Sequence, residues 1–120
     1  MSEENIYWAI DMSMDFYECK VDFEANSLKD FGQKITELID PGGEIVGSIF
    51  PIGDGEEDIE GFRLIHQNQA SLITAHFVNK GKKAYVDVHS CNPYKPSELI
   101  NLCSKYLIDE SHLCRKSFRK

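Results

Sequence analysis

The sequence predicts an α+β fold, a two-layer sandwich in which an antiparallel sheet carries two helices on one of its faces. Three observations predict it. Strand-like and helix-like segments follow one another in the order β-α-β-β-β-β-α-β, the turn signals between strands suit short hairpins, and both helical segments carry an apolar stripe. With 120 residues, of which 42% are hydrophobic, the chain is long enough for one modest domain over residues 1–120.

The first half of the chain contains two strands and one helix. Alternation from Ile6 to Phe16 predicts the first strand. Ser27 is expected to cap the first helix, and Pro41-Gly42-Gly43 is expected to end it. The apolar stripe of this helix consists of Leu28, Phe31, Ile35 and Leu38. Glu44 to Phe50 then predicts a short strand, and Pro51 to Glu60 predicts an acidic loop.

Three strands follow the acidic loop. Phe62 to His66 and Leu72 to Phe77 predict the first two, and Lys80-Gly81-Lys82 predicts a turn into the third. The third strand, Ala84 to Cys91, alternates cleanly. Its valines share one face, and the opposite face carries Tyr85, Asp87, His89 and Cys91. Because the valine face suits the core, the polar face is left for water, a ligand or a subunit partner.

The last part of the chain predicts a helix and a strand. Pro96 suits the first position of a helix, because proline lacks the N–H that this position leaves unpaired. The apolar stripe of the helix consists of Leu99, Leu102, Cys103 and Tyr106. Ser111 to Phe118 predicts a final short strand. The sheet then has an open face, and an open face is usual for antiparallel sheets.

Charge and composition exclude several classes of protein. The net charge is −7, and residues 1–60 contribute −13 while residues 61–120 contribute +6. An acidic chain is a poor general nucleic-acid binder, since phosphate neutralisation needs a basic surface. No apolar run approaches the eighteen or so residues of a membrane span. The acidic start is unlike a signal peptide, and the four cysteines form no Cys-x-x-Cys pair, so we expect free thiols and a cytoplasmic protein.

The polar residues leave several chemistries open. Asp87, His89 and Cys91 are all metal-ligand types, but side chains two apart on a strand lie roughly 6–7 Å apart, too wide for shared coordination, so we expect no metal. Cys91 with His76 or His89 and an aspartate is a second option, a thiolate pair. A solvated sheet face is the third. The acidic loop offers oxygen ligands for calcium but lacks the EF-hand spacing, which favours a solvated loop.

Several segments together resemble the bacterial S-adenosylmethionine decarboxylases. Asp15-Phe16-Tyr17-Glu18-Cys19 is similar to the Glu-Phe-Tyr-Glu-Cys stretch of that family, and Ile45 to Phe50 resembles its second strand. In the family, a serine is followed five residues later by a histidine and twenty residues later by a cysteine, within an Asp-x-x-x-Cys strand. Here those spacings are met by Ser71, His76, Asp87 and Cys91, and the resemblance spans roughly Ile6 to Leu107.

The resemblance implies a pyruvoyl-dependent decarboxylase that cuts its own chain between Ala70 and Ser71. Ser71 would become the pyruvoyl group, whose ketone serves as an electron sink when CO₂ leaves the substrate. His76 would assist self-processing, and Cys91 would give a proton to the carbanion left by decarboxylation. The implied substrate is a small molecule, S-adenosylmethionine or a related amino acid of polyamine synthesis. The implied assembly is a symmetric homodimer with active sites between protomers.

The parity of the strand makes a geometric prediction about the site. Ser71 and His76 are five residues apart, so a regular strand would place them on opposite faces. A contact between them therefore predicts irregular backbone near Ser71, at a peptide bond that is to be broken.

Three residues depart from the family pattern and support an alternative function. Arg63 stands where the family has a second processing serine, and Ala70 and Leu72 flank Ser71 where the family has glutamate and histidine. The alternative is an unprocessed, catalytically inactive relative that acts as a ligand-binding or partner subunit.

Overall fold

The computed structural model describes residues 9–42, 44, 46–109 and 112–119. Six antiparallel strands form one sheet with the order β2-β3-β4-β5-β1-β6. The elements are, in chain order, β1 (Ala9–Phe16), α1 (Ala25–Ile39), β2 (Val46–Ile52), β3 (Gly61–Gln67), β4 (Ser71–Val78), β5 (Lys83–Ser90), α2 (Pro96–Leu107) and β6 (His112–Arg119). Both helices cover one face of the sheet, so the predicted α+β two-layer sandwich is confirmed.

The core lies between the helices and one face of the four central strands. Alternate residues of each strand point into it, as the period of two requires. Both valines of β5 are buried, as predicted, together with Met12 and Met14 of β1 and Ile73 of β4. The helices contribute Leu28, Phe31, Ile35, Ile39, Leu99, Cys103 and Leu107. Leu38, Leu102 and Tyr106 of the predicted stripes are only partly buried.

The first helix begins earlier than the sequence indicates. Its first residue is Ala25, with Glu24 in extended conformation before it and no side-chain cap, so the prediction of a Ser27 cap is wrong. Ser27 lies inside the first turn, where its carbonyl accepts a hydrogen bond from the hydroxyl of Tyr106 on α2. The residue predicted to cap the helix therefore takes part in a tertiary contact between the two helices. Pro96 begins α2 as predicted.

The strand boundaries agree with the alternating patterns to within a few residues. The predicted start of the first strand at residues 6–8 lies outside the described residues, as do Gly43, Ile45 and Ser111. Strand β2 continues to Ile52 instead of ending before Pro51. It is an edge strand, where a proline without an N–H is tolerated. The acidic loop over residues 53–60 is largely exposed, and Asp58 forms an ion pair with Lys80.

A buried histidine occupies the junction of α1, β2 and β3. His66 is only 3% exposed. Its ring fits against Gly32 of α1 and Gly47 of β2, and a methyl group on either glycine would overlap the ring. Neither ring nitrogen finds a hydrogen-bond partner within the described part of the chain. This is an energetically costly place for an imidazole.

The face of the sheet opposite the helices is open and carries the polar residues of β5, as predicted, and also the polar residues of β1. Among the described residues, this face also exposes the apolar side chains of Val46, Phe50, Leu72 and Leu113. Within the described residues, neither helix has the length and apolar character that crossing a membrane requires.

Candidate active site

The start of β4 and the end of β5 bring the predicted cleavage bond and the predicted cysteine together. Ser71 pairs with Ser90 in the antiparallel register of the two strands. One residue beyond this pair, the Cys91 N–H donates a hydrogen bond of 2.7 Å to the Ala70 carbonyl oxygen. The carbonyl of the Ala70–Ser71 peptide bond is therefore polarised by a backbone donor of the residue predicted to transfer a proton.

Asn68, the first residue of the short loop between β3 and β4, fixes the backbone before Ser71. The Asn68 Oδ1 accepts hydrogen bonds from the N–H groups of Ala70 at 3.0 Å and Ser71 at 2.8 Å. It also accepts the Ser71 hydroxyl at 2.8 Å. Because two backbone donors surround this atom, it must be the amide oxygen and not the nitrogen. The hydroxyl proton of Ser71 is thus directed at Asn68, a residue that sequence reasoning did not single out.

Ser71 and His76 lie on opposite faces of β4. Ser71 is buried on the helix side with Ile73 and Ala75, whereas His76 is half-buried on the open face. Five residues of strand separate them by about 16 Å along the chain. The irregular backbone that a contact would need is not present, because β4 pairs in unbroken register with both β3 and β5. A Ser71–His76 contact within one chain is therefore ruled out by the geometry.

His76 has different neighbours. A ring nitrogen lies 3.3 Å from the Ile59 carbonyl oxygen, and the ring is 6.4 Å from that of Tyr85. Its register partner on β3 is Arg63, on the same open face. Arg63 is thus beside His76 and distant from the Ala70–Ser71 peptide of its own chain, although it replaces a processing serine of the family pattern.

Three polar residues form a connected row on the open face. His89 and Asp11 are register partners on β5 and β1, and the Nδ1 of His89 contacts a carboxylate oxygen of Asp11. The other ring nitrogen, Nε2, lies 4.0 Å from the Sγ of Cys91. A second pair lies two residues away, where the Ser13 hydroxyl donates to Asp87 at 2.6 Å. The pairing of Cys91 with His89, left open by the sequence, is the one that the fold forms.

The four cysteines differ sharply in their surroundings. Cys91 is exposed, Cys114 is half-buried, and Cys19 and Cys103 are buried. Burial raises the pKa of Cys19 to about 12 and also raises the pKa of Cys103. All four thiols are free. Cys91 is therefore the thiol most accessible to dissolved reagents.

A groove runs along the open face beside His89. Its cavity volume is about 390 Å³. The described residues that line it are Asp11, Met12, Ser13, Leu72, Thr74, Asp87, Val88 and His89. These described lining residues include two carboxylates and neither lysine nor arginine. Among the described residues, no three histidine, cysteine or acidic side chains converge on a position that would hold a metal ion.

Comparison with known proteins identifies a structural neighbour. This chain is similar to the crystal structure of the adenosylmethionine decarboxylase from Aquifex aeolicus VF5, with a TM-score of 0.72 and 13% sequence identity. The match covers 94% of this chain and 91% of the other. No family model matches the chain, and no curated protein sequence matches it. At this level of identity, the similarity establishes a shared fold.

Proposed function

We propose that the chain is a self-processing, pyruvoyl-dependent decarboxylase that cuts its backbone between Ala70 and Ser71 and acts on S-adenosylmethionine or a related amino acid in polyamine synthesis. The observation that carries the proposal is the 2.7 Å hydrogen bond from the Cys91 N–H to the Ala70 carbonyl. It joins the bond to be cut to the cysteine that would serve turnover. The fold shared with the Aquifex enzyme supports the same reaction class.

The first chemical step is attack of the Ser71 hydroxyl oxygen on the Ala70 carbonyl carbon. The hydroxyl proton passes to the Ser71 nitrogen as the C–N peptide bond breaks and a C–O ester bond forms. Loss of the Ser71 Cα proton with cleavage of the Cβ–Oγ bond then releases Ala70 as a carboxylate and leaves dehydroalanine at position 71, which water converts to the pyruvoyl ketone with release of ammonia. The Cys91 N–H is placed to stabilise the negative charge that develops on the Ala70 oxygen. Asn68 orients the hydroxyl but is no base, so it acts here as a positioning residue.

Position 71 is the candidate site of a pyruvoyl group, but Ser71 is buried on the helix side of the sheet and the Cys91 thiol lies on the open face, so the freed strand end has to turn toward that face for turnover. Ser71 begins β4, so a cut before it frees a strand end next to Ser90 and Cys91. When present, a pyruvoyl ketone supplies the electron sink for loss of CO₂. The chain's own contribution to turnover is the exposed Cys91 thiol, which would deliver a proton to the substrate carbon.

His76 enters the proposal through a homodimer. Within one chain it does not reach Ser71, so a role in processing requires a second chain. The open face carries His76 together with the exposed Val46, Phe50 and Leu72, and these apolar side chains favour coverage by a partner subunit. Co-expression of Ser71→Ala and His76→Ala chains tests this, because cleavage of the His76→Ala chain should then be restored in mixed dimers. If the His76→Ala chain is cleaved to the same extent as wild type, both alone and in the co-expressed mixture, His76 has no role in processing.

Denaturing mass spectrometry of the purified protein tests self-cleavage directly. We expect two fragments in place of the intact 13.7 kDa chain, with the second fragment blocked by a ketone. Ser71→Ala should stay intact. An intact mass that persists in the wild type after long incubation would overturn the proposal and favour the alternative of an unprocessed ligand-binding or partner subunit.

A second measurement separates cleavage from turnover. Cys91→Ala retains its backbone N–H, so we expect cleavage to proceed while release of CO₂ falls by about two orders of magnitude. S-adenosylmethionine, arginine and ornithine are the substrates to compare. An unchanged rate of CO₂ release would remove the Cys91 thiol from the reaction.

A further inference from the structure

The row on the open face has the arrangement of a nucleophile, a base and an orienting carboxylate. Asp11 lies in contact with the Nδ1 of His89, and Cys91 lies on the far side of the ring, 4.0 Å from Nε2. An ionised carboxylate can only accept hydrogen bonds, so Nδ1 must carry the ring proton that it shares with Asp11. Nε2 of the neutral ring is then an acceptor, and it faces the thiol. The His89 side chain is 37% exposed and that of Asp11 24% exposed, so solvent screens the pair only in part.

We propose that Asp11, His89 and Cys91 form a cysteine–histidine–aspartate triad that makes Cys91 a nucleophile toward small, positively charged organic disulfides. The self-cleavage before Ser71 does not use His89 or Asp11, so this reactivity does not depend on processing, although it uses the same Cys91 thiol as the proposed turnover. It also distinguishes Cys91 from the other three thiols, which are buried or half-buried.

The groove beside the triad determines the class of disulfide. It opens next to His89 and has a volume of about 390 Å³, enough for a short aliphatic molecule. Asp11 and Asp87 line it, and no lysine or arginine is found among its described lining residues. Asp87 is held by the hydroxyl of Ser13 at 2.6 Å. Two fixed carboxylates attract an ammonium group and repel the carboxylates of an anionic disulfide.

The reaction is a thiol–disulfide exchange. His89 Nε2 takes the proton of the Cys91 thiol, and the thiolate attacks one sulfur of the disulfide. A new S–S bond forms at Cys91 as the original S–S bond breaks. The leaving thiolate takes the proton from His89 and departs as a thiol. Cys91 is thereby oxidised to a mixed disulfide, and half of the small disulfide is reduced.

Cystamine, which carries two ammonium groups, is the probe that tests the proposal. The full chain is incubated at pH 7 with cystamine, with the neutral hydroxyethyl disulfide or with oxidised glutathione, and modification of each cysteine is followed by peptide mass mapping. We expect Cys91 to react with cystamine at least about tenfold faster than N-acetylcysteine does and about tenfold faster than with oxidised glutathione. The rate of Cys91 modification is measured on wild type and on Ser71→Ala, which stays uncleaved, so that any effect of cleavage on the rate is detected.

Matched variants separate the base from the charge. His89→Gln should slow the reaction of Cys91 with all three disulfides by about tenfold or more. Asp11→Asn should slow it as well, whereas Asp11→Glu, which restores the carboxylate, should recover most of the rate. Asp87→Asn should reduce only the preference for cystamine and leave the neutral disulfide unaffected.

Four results would each overturn a part of the inference. If Cys91 reacts with the neutral disulfide no faster than N-acetylcysteine, or if His89→Gln leaves the rate unchanged, the triad does not activate the thiol. If cystamine and oxidised glutathione modify Cys91 at equal rates, the groove does not select for positive charge. Equal slowing by Asp11→Asn and Asp11→Glu would assign Asp11 a purely structural role.

Discussion

Replacement of His66 by leucine is expected to stabilise the fold. The histidine is 3% exposed in the wild type, and both of its ring nitrogens lack a partner among the described residues. A buried donor or acceptor without a partner costs about 1–3 kcal/mol, so the two nitrogens together cost about 2–6 kcal/mol. Leucine removes both, and its different shape costs about 1–3 kcal/mol in repacking against Gly32 and Gly47. With the midpoint of each range, the net gain is about 2 kcal/mol in the free energy of unfolding.

The gain should depend on pH in a defined direction. Burial lowers the pKa of His66 below its ordinary value, and the positive charge of Lys29 lowers it further. The unfolded chain therefore binds a proton that the folded chain excludes once the pH falls below about 6.5. The wild type is at full stability above that pH and loses at most about 1.4 kcal/mol per pH unit below it from this residue. His66→Leu has no such loss, so its advantage grows as the pH falls from 7.5 to 5.5.

Urea denaturation followed by circular dichroism at pH 7.5, 6.5 and 5.5 measures both effects. A Ser71→Ala background keeps the chain intact, so that unfolding involves one molecule. The matched control is His112→Leu, which removes an exposed histidine of β6. The reasoning is refuted if His66→Leu lowers the free energy of unfolding at pH 7.5, or if the difference from wild type is the same at all three pH values.

Three further outcomes are expected. Gly61→Ala should lower the free energy of unfolding by about 3 kcal/mol in urea, because the added methyl group would overlap the Phe77 carbonyl oxygen across the β3–β4 pair; a loss below 1 kcal/mol would mean that the backbone yields there. Tyr106→Phe should cost about 1 kcal/mol in the same assay, because its hydroxyl donates to the Ser27 carbonyl, and an unchanged midpoint would show that this bond contributes nothing net. Cys103 should resist iodoacetamide in the native protein and react only in urea, since burial raises its pKa; labelling of folded protein at the rate of Cys91 would contradict that burial.

The alternating and helical patterns were sufficient for the architecture. The valines of β5 lie on one face of the strand, and the apolar residues of α1 lie on one face of the helix. Both of these faces are buried in the fold. Boundaries were less predictable, because they depend on partners distant in sequence. Ser27 has the chemistry of a cap, yet the helix begins two residues earlier, and the Ser27 carbonyl accepts a hydrogen bond from Tyr106 of α2. Pro51 predicts the end of a strand, but β2 lies at the edge of the sheet, where a residue without an N–H is tolerated, and the strand continues to Ile52.

The site was predictable only in its residue types. The sequence shows that Ser71 and His76 have opposite parity, and this parity holds in the fold because β4 is paired on both sides. The contact of Asn68 with Ser71 is local, because asparagine side chains accept hydrogen bonds from groups two and three residues further on. The position of Asp11 opposite His89 depends on strand register, which is set by the entire sheet.

The strand order has a consequence for a chain cut between Ala70 and Ser71. The first fragment would hold β1, β2 and β3, and the second would hold β4, β5 and β6. In the sheet, β1 lies between β5 and β6, so a strand of the first fragment is clasped between two strands of the second. The fragments would carry opposite net charges of −12 and +5, but the pairing of β1 with β5 and β6 is the main reason why they would not dissociate. Gel filtration and native electrophoresis would therefore show a single species after cleavage, and the two polypeptides would separate only under denaturing conditions.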